Sequence, residues 1–449
     1  MRRQHAIFEL QNFILKEESD MKSYREMTAD ELKQERELLN KRYEEYKAMT
    51  LSLNMTRGVP STEQLDLASD MYDDLSSSGF MSVNNQDVRN YGVPAGIDDV
   101  RKVFAEILDT DMDNIFMGNS SSLNQMFDAL MRSMMFGEIE SEKPWYEVEG
   151  RKWLCPAPGY DRHFRVTETL GFELIPVPMT ENGPDMDVVE ELVKDPKVLG
   201  IWCVPCYSNP DGIVYSEETC RRLASMKTAA PDFRIMWDNA YVVHHITDND
   251  SERGHIPDIL SLCANAGNPN RPYEFASSSK VTFAGGGISC FAANPDNMAR
   301  AKKYLSVQAI CTNKVNQLAH ARYLPNAEAV DKHMRKHAEI LRPKFEAVQK
   351  VLNDELGDNK DLYRWTDPKG GYFVSFYAFP GTATKVVAMC KEAGVALTPA
   401  GASYPYGKDP DDSNIRLCPS FPPVENIVKA VSILSVCAKI TAIDKLLEG

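Results

Sequence analysis

Long apolar runs are missing from this 449-residue chain: no stretch approaches the roughly 18 consecutive apolar residues of a membrane-crossing helix. Glu9, Gln11 and Asn12 interrupt the apolar run that a secretory signal needs, so no such signal is expected. Basic residues are scarce beside acidic ones, 50 against 65, which leaves a net charge of −15. That balance disfavours DNA or RNA as a partner, because binding a phosphate backbone needs a basic surface. It does not exclude a local basic pocket for a small anion. No second Cys-x-x-Cys accompanies Cys203-Val204-Pro205-Cys206, which argues against a zinc site. That motif also closes a strand-like run instead of opening a helix, so structural cysteines are expected there. No Walker-type or Gly-x-Gly-x-x-Gly loop follows the first strand, and nucleotide chemistry ranks low.

What is present describes a globular chain with a large core, since apolar residues make up 43% and charged ones 26%. The length suffices for about three domains. Ten cysteines are scattered, several inside apolar runs such as Leu417-Cys418 and Ala388-Met389-Cys390. Buried free thiols fit a reducing compartment, and cytoplasm is the expected location. The first fifty residues are charged and helix-like, with Leu32, Leu38, Leu39 and Tyr43 as apolar positions. Residues before Met21 read as a loosely attached extension, with Met21 as an alternative start.

From about residue 97 helix-period segments (97–108, 123–135, 187–194, 217–227) alternate with short apolar runs (114–117, 153–155, 173–178, 198–204, 234–237). Such alternation predicts a mostly parallel central sheet flanked by helices, an α/β fold. After residue 300 a long helix (331–352), a strand (371–379), a Gly/Pro-rich loop (398–410), a short strand (414–418) and a closing helix (424–447) predict a smaller α+β domain. The expected organisation is an N-terminal segment 1–52 joining the small domain, a large domain 53–310 and a small domain 311–449. Ligands of parallel sheets bind outside the carboxyl ends of the strands, so the polar residues after each run are the candidates.

In order these are Met117-Gly118-Asn119-Ser120-Ser121-Ser122, Pro158-Gly159-Tyr160, Asn209-Pro210-Asp211-Gly212, Trp237-Asp238-Asn239-Ala240-Tyr241 and Ser277-Ser278-Ser279-Lys280 before Ala284-Gly285-Gly286-Gly287. Glycine and serial hydroxyls opening a helix make an anion site from N–H groups and the positive dipole end; a plain serine N-cap is the alternative. Tyr160 puts an aromatic face at the rim, and residues 209–212 also suit an ordinary turn. Asp238 ends an apolar strand and needs a cationic partner there. Lys280, between small residues and glycines, lets the backbone approach a ligand closely. His333 and His337 lie four apart on a helix, but Lys332, Arg335, Lys336 and Glu339 around them read as a solvated face. His244 and His245 receive no role.

Together the motifs resemble the fold-type I pyridoxal-phosphate enzymes, specifically class I/II aminotransferases of the bacterial aspartate aminotransferase-like subgroup, from about Leu53 onward. Thr56-Arg57-Gly58-Val59-Pro60-Ser61 and the Ser-Ser-Ser-Lys site carry the likeness to the subgroup. Residues 209–212 are similar to the family's Asn-Pro-Thr-Gly, Asp238 and Tyr241 fall on its Asp-x-x-Tyr, and Lys280 on its Ser-x-Ser-Lys. Pro368-Lys369-Gly370-Gly371-Tyr372-Phe373 and Asn414-Ile415-Arg416-Leu417 match small-domain signatures.

The resemblance implies pyridoxal 5'-phosphate bound covalently to Lys280, which later serves as the base at the substrate Cα. It implies Asp238 at the pyridine nitrogen, Asn209 and Tyr241 at the ring's phenolate oxygen, and Tyr160 stacked on the ring. Ser120, Ser121, Ser122, Ser277 and Ser279 would hold the phosphate, with Tyr91 of Tyr91-Gly92-Val93-Pro94 reaching in from a second copy of a homodimer. Arg416 would grip the substrate α-carboxylate. Many members carry an arginine eight positions after the lysine; here Ile288 stands there. Arg57 is the candidate cation for a distal carboxylate. The implied reaction moves an amino group from aspartate or glutamate to a 2-oxo acid in two alternating halves, with no metal. A lyase or decarboxylase on the same scaffold is the nearest rival, because the same ring stabilises any Cα carbanion. A ligand-sensing domain of a transcription regulator is a rival of another class, which the residues before Leu53 are too few to complete with a winged-helix domain.

Overall fold

The computed structural model describes residues 22–448; the expected extension before Met21 lies outside the described residues. The central sheet has eight strands: β1 (Ile115–Met117), β2 (Lys152–Ala157), β3 (Glu173–Thr180), β4 (Gly183–Pro184), β5 (Val198–Cys203), β6 (Arg234–Asp238), β7 (Pro272–Ser277) and β8 (Ser289–Ala292). Their spatial order is β1-β8-β7-β6-β5-β2-β3-β4. The five central strands β7, β6, β5, β2 and β3 run parallel, and β8 runs antiparallel to both β7 and β1. Strands covered on both faces need apolar residues at every position, and β5 is buried throughout its length. The expected α/β sheet with a smaller α+β unit is therefore what the chain forms. β7 and β8, which the apolar runs did not reveal, complete it.

Two apolar layers cover the sheet. On one side lie Met126, Leu130 and Met134 of the helix Ser122–Phe136 with Trp145, Trp153 and Phe172. On the other lie Val100, Phe104 and Leu108 of the helix Asp98–Leu108, with Leu318 and Ala319 of the helix Lys314–Tyr323.

The smaller unit holds a three-stranded antiparallel sheet of β9 (Arg364–Trp365), β10 (Val374–Tyr377) and β11 (Asn414–Leu417). Three long helices enclose its core: Ala29–Ala48, Ala327–Leu356 and Val424–Glu448. The first begins with a reciprocal cap between Thr28 and Glu31, and presents Leu32, Leu39 and Tyr43 inward. Immediately after it, Leu53–Asn54 pairs in parallel with Val395–Ala396, so the N-terminal segment is tied to the small unit. Val424–Glu448 is long and apolar enough to cross a membrane by length and composition, but 72% of its apolar window is buried inside the protein. It is the central helix of this core, with Ile427, Val431, Leu434 and Ala438 fully packed.

The solvated-face expectation for His333 and His337 does not hold. Both are buried while Lys332 and Lys336 beside them are exposed, because an inward-facing helix stripe includes every third or fourth residue whatever its polarity. They contact each other at 3.1 Å and the Val281 carbonyl oxygen, and Gln64 donates to His337 at 3.0 Å. Among the described residues no group of three or more metal-ligating side chains converges.

Candidate active site

The carboxyl ends of the strands open into a cavity of about 710 Å³ between sheet and small unit. Arg57, Ser121, Ser122, Tyr160, Asn209, Asp238, Tyr241, Ser277, Ser279, Lys280 and Arg416 all line it. A larger groove of about 910 Å³, between the loop 246–252 and the helix Ala327–Leu356, holds none of them. Ser120 stands just behind the wall, its carbonyl oxygen accepting from the Ser279 hydroxyl at 2.8 Å. Tyr91 is not brought in: its side chain is 76% exposed, outside the cavity of the single chain.

Asp238 is the last residue of β6 and only 3% exposed. One carboxylate oxygen accepts from His163 Nε2 at 2.9 Å, while the other is buried with no hydrogen-bond partner. An orphaned buried carboxylate oxygen is costly, and it calls for a donor from the cavity. The protonated nitrogen of a pyridine ring is such a donor. His163 lies on the first turn of the helix Asp161–Thr169 and stacks on Trp202 at 4.3 Å, which fixes its ring plane against Asp238.

Lys280 Nζ sits 4.8 Å from the centre of the Tyr241 ring. Loss of hydration lowers its pKa below the usual 10.5, opposed by the Asp238 carboxylate. Burial raises Tyr241, helped by Tyr160 and Asp238, and raises Tyr160 to about 12. Both phenols are therefore protonated donors at neutral pH.

The serines before the lysine divide by alternation. Ser277 and Ser279 face the cavity, whereas Ser278 is buried away from it. His320 Nδ1 donates to the Asn316 carbonyl at 2.8 Å, so its Nε2 is an acceptor for the hydroxyls of Ser278 at 3.0 Å and Thr282 at 2.8 Å. The Ser278 hydroxyl in turn accepts from the Ile288 backbone N–H at 3.0 Å. Ile288 itself packs in the apolar layer under β8, so that position is used for the core and carries no charge. Gly287 lets the following loop close on the lysine segment, since a Cβ there would lie 3.0–3.1 Å from backbone atoms of Ser279 and Ser120. An anion at this end meets hydroxyls and the N-terminus of the helix Ser122–Phe136, which has no acidic residue in its first turn.

At the opposite end Arg416, on β11, is 8% exposed. Its Nη1 donates to Asp161 at 3.0 Å and to Asn209 Oδ1 at 3.3 Å, with the Phe373 ring 5.2 Å away. Arg57 and Arg162 also line the cavity; both are exposed, and neither holds an ion pair among the described residues. His163, Asp161 and Arg162 were not anticipated. Their only sequence signal is proximity to Tyr160, and their direction depends on the rotation of the helix they begin.

The ten cysteines are free, and all but Cys311 are buried. Burial raises the thiols of Cys203 and Cys206 above the usual 9.0, which keeps them protonated and unreactive.

A family model described as aspartate amino-transferase matches residues 27–449. The chain is 47% identical over 406 residues to an aspartate aminotransferase of Corynebacterium glutamicum, covering 90% of this chain and 93% of that one. It is also 47% identical over 429 residues to a putative aminotransferase of Mycolicibacterium smegmatis, covering 95% and 99%. Among solved structures, an aspartate transaminase from C. glutamicum superposes with a TM-score of 0.92 at 45% identity, covering 95% of this chain and all of that one. An α-aminoadipate aminotransferase from Thermus thermophilus, complexed with N-(5'-phosphopyridoxyl)-L-leucine, shares the fold at a TM-score of 0.70 and 21% identity.

Proposed function

The chain belongs to the aspartate amino-transferase family and is a pyridoxal-phosphate-dependent aminotransferase; from that premise we propose that its amino donor is aspartate or glutamate and its acceptor a 2-oxo acid such as 2-oxoglutarate. The observation that carries the site assignment is the joint presence, in one cavity, of the orphaned Asp238 oxygen, the desolvated Lys280 amine and the Arg416 guanidinium.

When bound, pyridoxal 5'-phosphate supplies an aldehyde for the amino group and an electron-accepting ring. Lys280 would hold the aldehyde group, and its amine, when free, would take the proton from the substrate Cα. Asp238 would accept from the pyridine N–H, and His163 keeps that carboxylate oriented. Asn209 and Tyr241 would donate to the ring's phenolate oxygen, and Tyr160 would cover one ring face. Ser121, Ser122, Ser277 and Ser279, which line the cavity, would hold the phosphate with backbone N–H groups, in place of the arginine that Ile288 replaces, with Ser120 behind them. Arg416 binds the α-carboxylate in a desolvated, bidentate pair. Arg57 takes the distal carboxylate, with Arg162 beside the same opening.

A homodimer fits this reading, with Tyr91 of a second copy completing the phosphate site. The exposed apolar side chains of Tyr91, Met135, Phe136, Val307 and Ile310 support an interface. Free buried thiols support a cytoplasmic location.

The test is a half-reaction screen, following the cofactor's absorbance as single amino acids are added. Aspartate and glutamate are expected to convert it to the amino form fastest, without carbon dioxide release. Faster conversion by neutral or aromatic amino acids overturns the substrate assignment. Carbon dioxide from aspartate overturns simple amino transfer.

A further inference from the structure

Asp211 is a carboxylate at the place where the family motif Asn-Pro-Thr-Gly has threonine, and it is 6% exposed. It faces the small unit. Tyr377, the last residue of β10, donates its hydroxyl to both carboxylate oxygens, at 2.8 and 3.0 Å. The Arg364 guanidinium lies over a face of the Tyr377 ring, 3.5 Å from its centre, so the phenol meets a cation at its face and an acid at its hydroxyl.

The two ends of this contact belong to the two parts of the substrate site. On the large-domain side, the loop is a tight turn: Gly212 N–H donates to Ser208 at 2.6 Å, and Gly212 adopts φ +71° against Pro368. A Cβ at Gly212 would lie 2.4 Å from the Pro368 side chain, so the loop rests directly on the small unit. Asn209, two residues before Asp211, accepts from Arg416 Nη1. On the small-domain side, β10 pairs with β11 in a register that sets Tyr377 opposite Asn414 and Ser375 opposite Arg416. The Asn414 amide donates to the Ser375 hydroxyl at 2.7 Å, locking that register with side chains as well as backbone.

We propose that the Asp211–Tyr377 pair is a positioning device for substrate recognition: it fixes β10, and through it the paired strand that carries Arg416, against the loop that carries Asn209, and so sets the orientation of the guanidinium that receives the carboxylate. The pair touches neither the cavity nor the reacting atoms, so its effect falls on substrate affinity. This rests on the reading of Arg416 as the carboxylate grip.

The experiment uses the holoenzyme and maleate, a dicarboxylate with no amino or oxo group to react, titrated by calorimetry. Tyr377→Phe is expected to weaken maleate binding about 10-fold, the loss of a hydrogen bond to a charged group propagated to the grip. KM for the amino acid and for the oxo acid rise by the same factor, with kcat within about 3-fold and cofactor content unchanged. Asp211→Asn gives a similar loss alone and adds little in the Tyr377→Phe background. It also serves where Tyr377→Phe fails to fold, since it keeps the volume of the side chain. Arg416→Ala is the control and abolishes maleate binding. Maleate affinity within about 2-fold of the parent in both single variants, or fully additive losses, overturns the positioning role even where melting temperature falls. Unchanged maleate binding in Arg416→Ala removes the premise itself.

Discussion

Across the cavity, two walls of the same enzyme are built on different physical terms. On the sheet side, Asp238 and Tyr241 are buried at the end of a parallel strand, and Lys280 stands on a segment pinned by Ser278, His320 and Gly287. On the outer side, Arg57 and Arg162 are exposed and held by no ion pair among the described residues. Arg416 stands between these extremes, buried like the first group, with Nη1 donating to Asp161 and Asn209 while its buried Nε has no partner among the described residues. On the proposed assignment, groups that act on atoms common to every amino acid are desolvated, where electrostatic effects are strongest. Those proposed to read a variable side chain sit in solvent, where each charge contributes less.

That contrast orders the expected effects of substitution. Lys280→Ala is expected to lower turnover by about 10⁴-fold or more, since it removes both the covalent anchor and the base; stopped-flow absorbance measures the loss. Asp238→Ala should cost on the order of 10²–10³-fold in kcat, with cofactor dissociating more readily during dialysis. Arg416→Ala should lower kcat/KM for aspartate by about 2–5 kcal/mol of lost binding, most of it in KM. Arg57→Ala should cost roughly 10-fold with aspartate and leave alanine nearly unchanged. Equal losses on aspartate and alanine would show that the outer wall is not a reader of the distal carboxylate. If Arg57→Ala cost as much as Lys280→Ala, the contrast between the walls would collapse.

The smallest effect on activity belongs to Glu274, a second buried acid one strand away from Asp238. Among the described residues its one hydrogen bond is from the Asn239 amide at 3.0 Å, and burial pushes its pKa to about 8. One Glu274 oxygen and the Asn239 carbonyl oxygen lack partners. A proton on Glu274 gives the acid a donor in a site that otherwise leaves its charge bare. Between the usual 4.5 and about 8, the unfolded chain has released a proton that the folded chain keeps, so stability falls as pH rises through this window. Glu274→Gln is expected to flatten the dependence of melting temperature on pH between 6 and 8 while changing kcat by less than about 3-fold.

Much of the fold and the site was legible because parallel strands announce themselves twice, by continuous apolar runs and by the polar turn that follows each run. Asp238 and Asn209 stand at such turns, whereas Lys280 and Arg416 are picked out by motifs similar to the family's, and all four line one cavity. β7 escapes the apolar-run reading because Glu274 interrupts it. The direction of His333 and His337 was misread because their charged neighbours conceal an inward stripe. The Asp161–Arg416 and Asp211–Tyr377 contacts join residues 255 and 166 positions apart, a proximity that only the packing of the small unit on the sheet creates.

The central claim is that the Lys280 amine and the orphaned Asp238 oxygen act on the same flat ring. Borohydride reduction of the holoenzyme, followed by peptide mapping, measures the first half of that claim directly, and repeating it on Asp238→Ala measures the second. The account predicts one cofactor-labelled lysine, Lys280, and a weakened yield in the variant as the ring loses its partner. Label on any other lysine, or full and tight labelling in Asp238→Ala, would contradict it.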